Sequence, residues 1–296
     1  MWFRQIIDTI DQQQWLDSIA VPLQEAVKKV YAAGGSAGLQ VRDFLHGVWL
    51  EHPLHPVLTD IPIGAWTAAL ALDTLEMSSG RKEFGLGADV AVQVGLVGAA
   101  GSAVTGLTDW QHTTDRSRRV GMLHALLNSI SLLLYLASLI LRWRRQRGLG
   151  RACAFLGYAF SGAAASLGGD LVYSQQIGVD HAADETPPDK FVPVLPVSDL
   201  AEGVLCRVEA EGVPVLLVRR GQQIYALIET CSHLGGPLAE GELEGESVIC
   251  PWHGSRFALE NGQVLDGPST YIQPVLETRV RNGQIEVRAA KPEAVS

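Results

Sequence analysis

The sequence predicts an α-helical membrane bundle of four transmembrane helices followed by a small antiparallel all-β domain. Three observations carry that expectation. Four apolar stretches follow one another between residues 56 and 173, each close to the about 20 residues that a spanning helix needs. Short alternating segments, separated by Gly- and Asn-bearing turns, fill residues 204–287. The charge also changes along the chain: residues 1–179 hold fourteen acidic and fourteen basic side chains, and 180–296 hold eighteen acidic against nine basic. The net charge of −9 therefore sits in the C-terminal part, which disfavours nucleic acid and suits a basic protein partner. A hydrophobic content of 47% and a mean hydropathy of +0.14 are high for a chain with 19% charged residues. The expected divisions are an amphipathic segment at 1–50, the bundle at 51–177, a linker at 178–190, the β domain at 191–290 and a tail at 291–296.

The N-terminal segment has helical periodicity, with Trp2, Phe3, Ile6, Ile7, Ile10, Trp15 and Leu16 among polar neighbours. It lacks the order of basic, apolar and small residues that marks a signal peptide. Two placements stay open: a helix packed on the bundle, or one lying in the membrane interface. The apolar stretches are 56–77, 87–108, 120–142 and 152–173. The second carries Ala91, Gly95, Ala99 and Ala103 at four-residue spacing, and the fourth carries Gly157, Ser161, Ala165 and Gly169. Small-residue ladders of this kind let helices approach closely in lipid. A soluble bundle needs polar residues on its outer faces, and the third stretch has almost none, so membrane insertion is expected.

Ionisable groups collect on the side where the first helix starts: His52, His55, Asp60, Asp109, His112, His124, Asp170 and His181, with Asn128 one turn below His124. Such groups at membrane depth are costly and point to function. The run His52-Pro53-Leu54-His55-Pro56 followed by Asp60-Ile61-Pro62-Ile63-Gly64-Ala65-Trp66 resembles the start of the DUF2231 family of four-helix bacterial membrane proteins, and the likeness covers about 50–175. Three readings of the histidines stay open. His55 and His124 are the pair that would ligate a haem b iron from facing helices; a quinone site would use His and Asp as proton-linked groups; a plain anchor would use them as caps. Arg81, Lys82, Arg142, Arg144, Arg145, Arg147 and Arg151 flank the opposite side, against Arg42, Arg116, Arg118 and Arg119 on this one. Counted by the positive-inside rule, they place the protein as a multi-pass protein of the bacterial inner membrane with its β domain extracytoplasmic.

Past an acidic, Pro-bearing linker the expected strands are 204–208, 213–218, 224–228, 248–250, 271–275 and 285–287. Cys153 and Cys206 read as small core residues, and no disulfide framework is visible. Two loops break the strand pattern. One reads Cys231-Ser232-His233-Leu234-Gly235-Gly236-Pro237 and the other Cys250-Pro251-Trp252-His253-Gly254-Ser255-Arg256-Phe257, with sixteen residues between His233 and Cys250. Two thiolates and two imidazoles hold either a tetrahedral zinc or a two-iron cluster. Zinc sites of this composition commonly put both histidines on one helix, which Pro251 and Gly254 oppose.

These loops closely resemble the Rieske family, and the likeness spans roughly 191–290. It implies a [2Fe-2S] cluster, with Cys231 and Cys250 on one iron and His233 and His253 on the other. Members of the cytochrome bc type carry two further cysteines that bridge the loops; Gly236 and Trp252 stand there instead, so the resemblance is nearer the ferredoxin-type branch. Ser255 matches the serine that donates to a cluster sulfide, while Phe257 stands where high-potential members carry a Tyr. The resemblance implies one-electron transfer, an electron-transfer component rather than a stand-alone catalyst. The expected function is to carry electrons between a membrane donor, a quinone or bundle-bound haem, and a redox partner protein. The alternative is a ferredoxin or redox sensor for which the bundle in the lipid bilayer is only an anchor. A Rieske oxygenase is disfavoured, because little chain follows His253 to build its separate iron site.

Overall fold

The computed structural model describes residues 2–290, and the tail expected at 291–296 lies outside them. Two compact units divide the chain: Met1–Gly38 with Pro53–Ile177, and Leu39–His52 with the chain from Gly178 onward.

The first unit is all helix. Its N-terminal part forms α1 (Trp2–Asp11), α2 (Asp17–Ala33) and the opening of α3 (Gly35–His46). Four long helices follow: α4 (Leu54–Ser79), α5 (Lys82–Trp110), α6 (Asp115–Trp143) and α7 (Arg147–Tyr173). α1 and α2 pack on the bundle. Ile7, Ile10, Leu16 and Ala20 share one core with Trp110, Val120, Met122 and Leu167. Arg116, Arg118 and Arg119 of α6 pair with Asp8, Asp17 and Asp11. An apolar stripe with charges beside it thus seats α1 and α2 on the bundle.

Of the four spans expected, α5, α6 and α7 are long and apolar enough to cross a membrane. α4 matches them in length, but Asp60, Pro62, Asp73 and Glu76 dilute it. The seams also differ from the expected ladders. Along α5 the buried positions are Gly85, Ala88, Val92, Gly95, Gly98, Ser102, Thr105, Thr108 and Trp110, a spacing mostly of three with steps of four between. Ala103 is exposed. Helices that wrap around each other keep contact at an average of 3.5 residues, so a strict four-residue row drifts off the seam. Glycine matters where the backbones meet: a Cβ on Gly95 would lie 2.1 Å from Trp66 Nε1, and one on Gly98 would lie 2.5 Å from Ile61 Cγ2. Between α6 and α7, Ser131 Oγ donates to Gly157 O at 2.8 Å and Ser138 Oγ to Gly150 O at 2.6 Å.

At one end of this unit the helices share a charge cluster. The Asp73 and Arg142 side chains are fully buried against each other. Asp89 bridges Arg142 and Arg147, and Glu76 bridges Arg147 and Arg151. Three acids and three arginines balance. Arg142, read from sequence as an interfacial charge, is instead an interior one.

The second unit holds two antiparallel sheets. Strands β1 (Val192–Pro196), β2 (Leu205–Ala210), β3 (Val213–Arg220), β4 (Gln223–Ile228), β9 (Val275–Arg281) and β10 (Gln284–Ala289) form one, in the order β1-β10-β9-β4-β3-β2. The other is β5 (Glu242–Glu244), β6 (Ser247–Ile249), β7 (Arg256–Ala258) and β8 (Val264–Asp266), in sequence order. β3 lies between two cores. Val215 and Leu217 enter one, Leu216 and Val218 the other, which explains an uninterrupted apolar run where one-sided strands alternate. Each such side chain contributes roughly 1.5–3 kcal/mol on full burial, as an upper bound. The second core also takes Cys231, Cys250 and Phe257, so the sulfurs of the two loops are core atoms. The expected strand at 271–275 is displaced. Residues 271–274 form a loop and the strand begins at Val275, because the polar groups of Tyr271 and Gln273 are engaged by the Cys231 loop.

Candidate metal centre

Two loops of one design build the site. The first leaves β4, and the second joins β6 to β7. In the first, Cys231 N–H donates to Gly236 O at 2.9 Å and Gly235 N–H to Cys231 O at 2.9 Å. In the second, Cys250 N–H donates to Ser255 O at 2.8 Å and Gly254 N–H to Cys250 O at 3.1 Å. The fifth residue of each turn is a glycine at positive φ, +75° for Gly235 and +78° for Gly254, where a Cβ is disfavoured. The turn aims backbone N–H groups at sulfur: those of His233 and Leu234 at Cys231, and those of Trp252 and His253 at Cys250.

The two thiols hydrogen-bond to each other. That bond, together with burial, holds Cys231 well above the usual thiol range. The same bond and the Trp252 and His253 N–H groups bring Cys250 down to about 7 against the opposing effect of burial. The imidazoles lie outward of the sulfurs, half-buried, with ring centroids 5.1 Å apart and planes at 88°. Burial first, then the nearby His253, His46 and His181, push His233 well below its usual range and keep it neutral, the form that ligates metal.

Among the described residues no three or more His, Cys, Asp or Glu side chains gather around a single ion. The four residues stand as a sulfur pair inside and a nitrogen pair outside. That is the donor division a two-iron cluster asks for, one iron on two thiolates and the other on two imidazoles, and the residues fit it.

Gly236 and Trp252 meet. A Cβ on Gly236 would lie 2.9 Å from Cys250 Sγ and 3.1 Å from the Trp252 ring, so an indole packed on a bare backbone joins the loops, and all four cysteines are free. Ser255 is fully buried, and its Oγ accepts Ser269 N–H at 2.9 Å, which leaves its own O–H for another acceptor.

Sequence reasoning passed over a third loop. Gln273, fully buried, accepts Ser232 N–H through Oε1 at 2.9 Å. Its Nε2 donates to Ile228 O and Thr230 O at 2.7 and 2.8 Å. Ser232 Oγ pairs with Ser269 Oγ at 2.8 Å. One glutamine and one serine thus pin the first loop from residues some forty positions away. His46, on α3, was also passed over, for a polar residue within a helical pattern gives no local signal.

The histidines of the bundle are arranged differently. His55 Nδ1 meets Ser102 O at 2.9 Å and Thr105 Oγ1 at 3.3 Å; His124 Nδ1 meets Ala164 O at 2.8 Å. A carbonyl only accepts, so both Nδ1 atoms carry a proton, and in the neutral form of each ring Nε2 presents a lone pair. The two rings are within electrostatic reach of each other. On His124 that lone pair faces Asn128 Nδ2 at 3.1 Å. His52 and His181 belong to the second unit rather than to the bundle.

Comparison with known proteins adds identity to this geometry. Residues 190–277 match the family model of the Rieske [2Fe-2S] domain, and 51–181 match that of a predicted membrane protein family, DUF2231. The ferredoxin CarAc of Metapseudomonas resinovorans is 34% identical over 34% of this chain and 95% of its own length. The ferredoxin subunit of 3-phenylpropionate/cinnamic acid dioxygenase from Escherichia coli K12 is 33% identical over 30% of this chain and 85% of its own. Among solved structures, the ferredoxin of carbazole 1,9a-dioxygenase from Nocardioides aromaticivorans IC177 is similar at 28% identity and a TM-score of 0.32, over 36% of this chain and 99% of that one.

Proposed function

Because the chain belongs to the Rieske [2Fe-2S] domain family, and carries that domain behind helices that match a membrane protein family, we propose that it is a membrane-held one-electron carrier. The observation that carries the proposal is the division of the site into two core sulfurs and two outward imidazoles. Cys231 and Cys250 would hold the inner iron, and His233 and His253 the outer one. When bound, the cluster supplies reversible one-electron chemistry. The chain's own part is to keep the thiolate side dry, to fix both imidazoles and to present them to a partner. Its relatives are named as ferredoxins and ferredoxin components of dioxygenase systems, so an oxidoreductase protein is the partner class we infer. The positive-inside count, which weighs Lys and Arg rather than net charge, supports an inner-membrane protein with the cluster domain extracytoplasmic.

For the membrane donor we retain two classes, a quinone and a bundle-bound haem. A haem held by His55 and His124 needs a bare Nε2 on each ring, and the Asn128 amide occupies that of His124. This contact favours a bundle without haem, which leaves a quinone donor or the second reading, an anchored ferredoxin or redox sensor. A reduced-minus-oxidised spectrum of the full-length protein in detergent, with a haemochrome assay, tests for the haem, and quinone binding separates the other two. We expect the cluster bands alone. A stoichiometric haem band lost in His55→Ala or His124→Ala would make the bundle a cytochrome.

Ser255 carries a second expectation. Hydrogen bonds to cluster sulfur favour the more negative, reduced state and raise the potential. Ser255→Ala therefore lowers the midpoint in a potentiometric titration, and an unchanged midpoint would remove the hydroxyl from the site.

A further inference from the structure

Helix α3 is amphipathic in the reverse sense. Its charged side turns inward: Arg42 Nη2 donates to Gly267 O at 3.0 Å and to Asp43 Oδ1 at 2.8 Å, and His46 is buried. A Cβ on Gly267 would lie 3.0 Å from Asp43 Oδ1 and 3.1 Å from Val48 Cγ2, so this strap seats closely on the loop beside the metal centre. His46 lies within electrostatic reach of His233. The apolar side turns outward. Val41, Phe44 and Trp49 are 53, 57 and 58% exposed. Phe44 and Trp49 stack with centroids 5.6 Å apart and planes at 13°, and Trp49 Nε1–H already donates to Phe44 O at 3.1 Å.

A helix that buries charge and displays a stacked aromatic pair is built for an apolar or interfacial medium outside it. The indole takes its hydrogen bond along, so it enters such a medium without an unsatisfied donor. Five residues beyond Trp49 the chain enters α4 at Leu54, within the stretch that matches the membrane family. Trp at such a junction is the usual interfacial anchor.

We propose that Val41, Phe44 and Trp49 form a lipid-binding face seated in the headgroup region of the bilayer, and that the strap carries this anchoring through Arg42 and Asp43 to the Gly267 loop. The proposal rests on the membrane reading above and adds a contact surface to it. Its test uses the full-length, cluster-loaded protein with Cys153→Ser and Cys206→Ser, in nanodiscs of phosphatidylcholine and phosphatidylglycerol. Nitroxide labels are placed at Val41→Cys, which leaves the aromatic pair intact, at Phe44→Cys, and at Ser198→Cys on the β domain as a water-exposed reference. Power saturation with oxygen and with a neutral nickel chelate reads the surroundings. The expected result is an oxygen-to-nickel accessibility ratio several-fold higher at 41 and 44 than at 198. Equal ratios at all three sites would overturn the proposal. Protection from both reagents with spin–spin broadening would also overturn it, and would assign the face to a second copy of the chain. The rhombic signal of the reduced cluster, recorded on the same samples, reports separately on the electron-carrier reading.

Discussion

Replacing His253 by alanine abolishes the rhombic electron-spin signal of the reduced cluster and leaves the helical unit inserted. In the proposed ligand set the imidazole would contribute one of two nitrogen donors, and the loop offers no substitute: Trp252 and Gly254 flank it, and Ser255 is engaged by Ser269 N–H at 2.9 Å. A cluster missing a donor on its outer iron opens to water and loses the thiolate-against-imidazole asymmetry that defines its spectrum. The β domain keeps its fold, since Leu216, Leu227, Phe257 and Leu259 fill the core beneath the loops whether or not the ring is present. The measurement is electron spin resonance on dithionite-reduced membranes beside circular dichroism of the purified variant. A surviving rhombic signal would show that His253 is not a ligand.

The parts of this molecule that the sequence made legible are local ones. Each loop brings its Cys and His within a few residues, together with the glycine and proline that shape the turn, so composition and spacing announce the centre. β3 was legible as a strand, but only as one of the alternating segments, although its apolar run is continuous because both its faces are buried. What escaped depends on residues far apart. Gln273 pins a loop more than forty positions away through three hydrogen bonds, and the same contacts replaced the expected strand at 271–275 by a loop. The small-residue ladders named the right helices and part of the seam, Gly95 and Gly157 being buried, but Ala103 and Ala165 are exposed, because the seam follows the wrap of one helix about another. His46 reaches the metal-centre unit only because residues 39–52 leave the helical unit, a crossing that no pattern within α3 encodes.

Arg142 shows the same limit with the largest expected cost in the helical unit. Near the end of an apolar stretch an arginine reads as an interfacial charge, yet its side chain is fully buried, as is that of Asp73. Its Nη1 donates to Asp73 Oδ1 at 3.0 Å and Asp89 Oδ1 at 2.8 Å, and its Nε to Ser138 Oγ at 3.0 Å. Arg142→Leu removes one partner and leaves the Asp73 carboxylate in the interior, with Arg151 Nε 3.6 Å away. Breaking a buried pair from one side costs about 3–5 kcal/mol, whereas replacing both partners by apolar residues is close to neutral. Asp89 keeps Arg147 at 3.0 Å, so the penalty falls on Asp73. Unfolding of the full-length protein in mixed detergent micelles should therefore show Arg142→Leu strongly destabilised and Asp73→Leu/Arg142→Leu largely recovered. That recovery separates the electrostatic account from a packing one, which would make the double variant the weaker of the two. Arg142→Lys should fall between, because an ammonium keeps the charge and loses the fork that spans two carboxylates. An Arg142→Leu protein as stable as the parent would show that the six-charge cluster does not hold the four helices together.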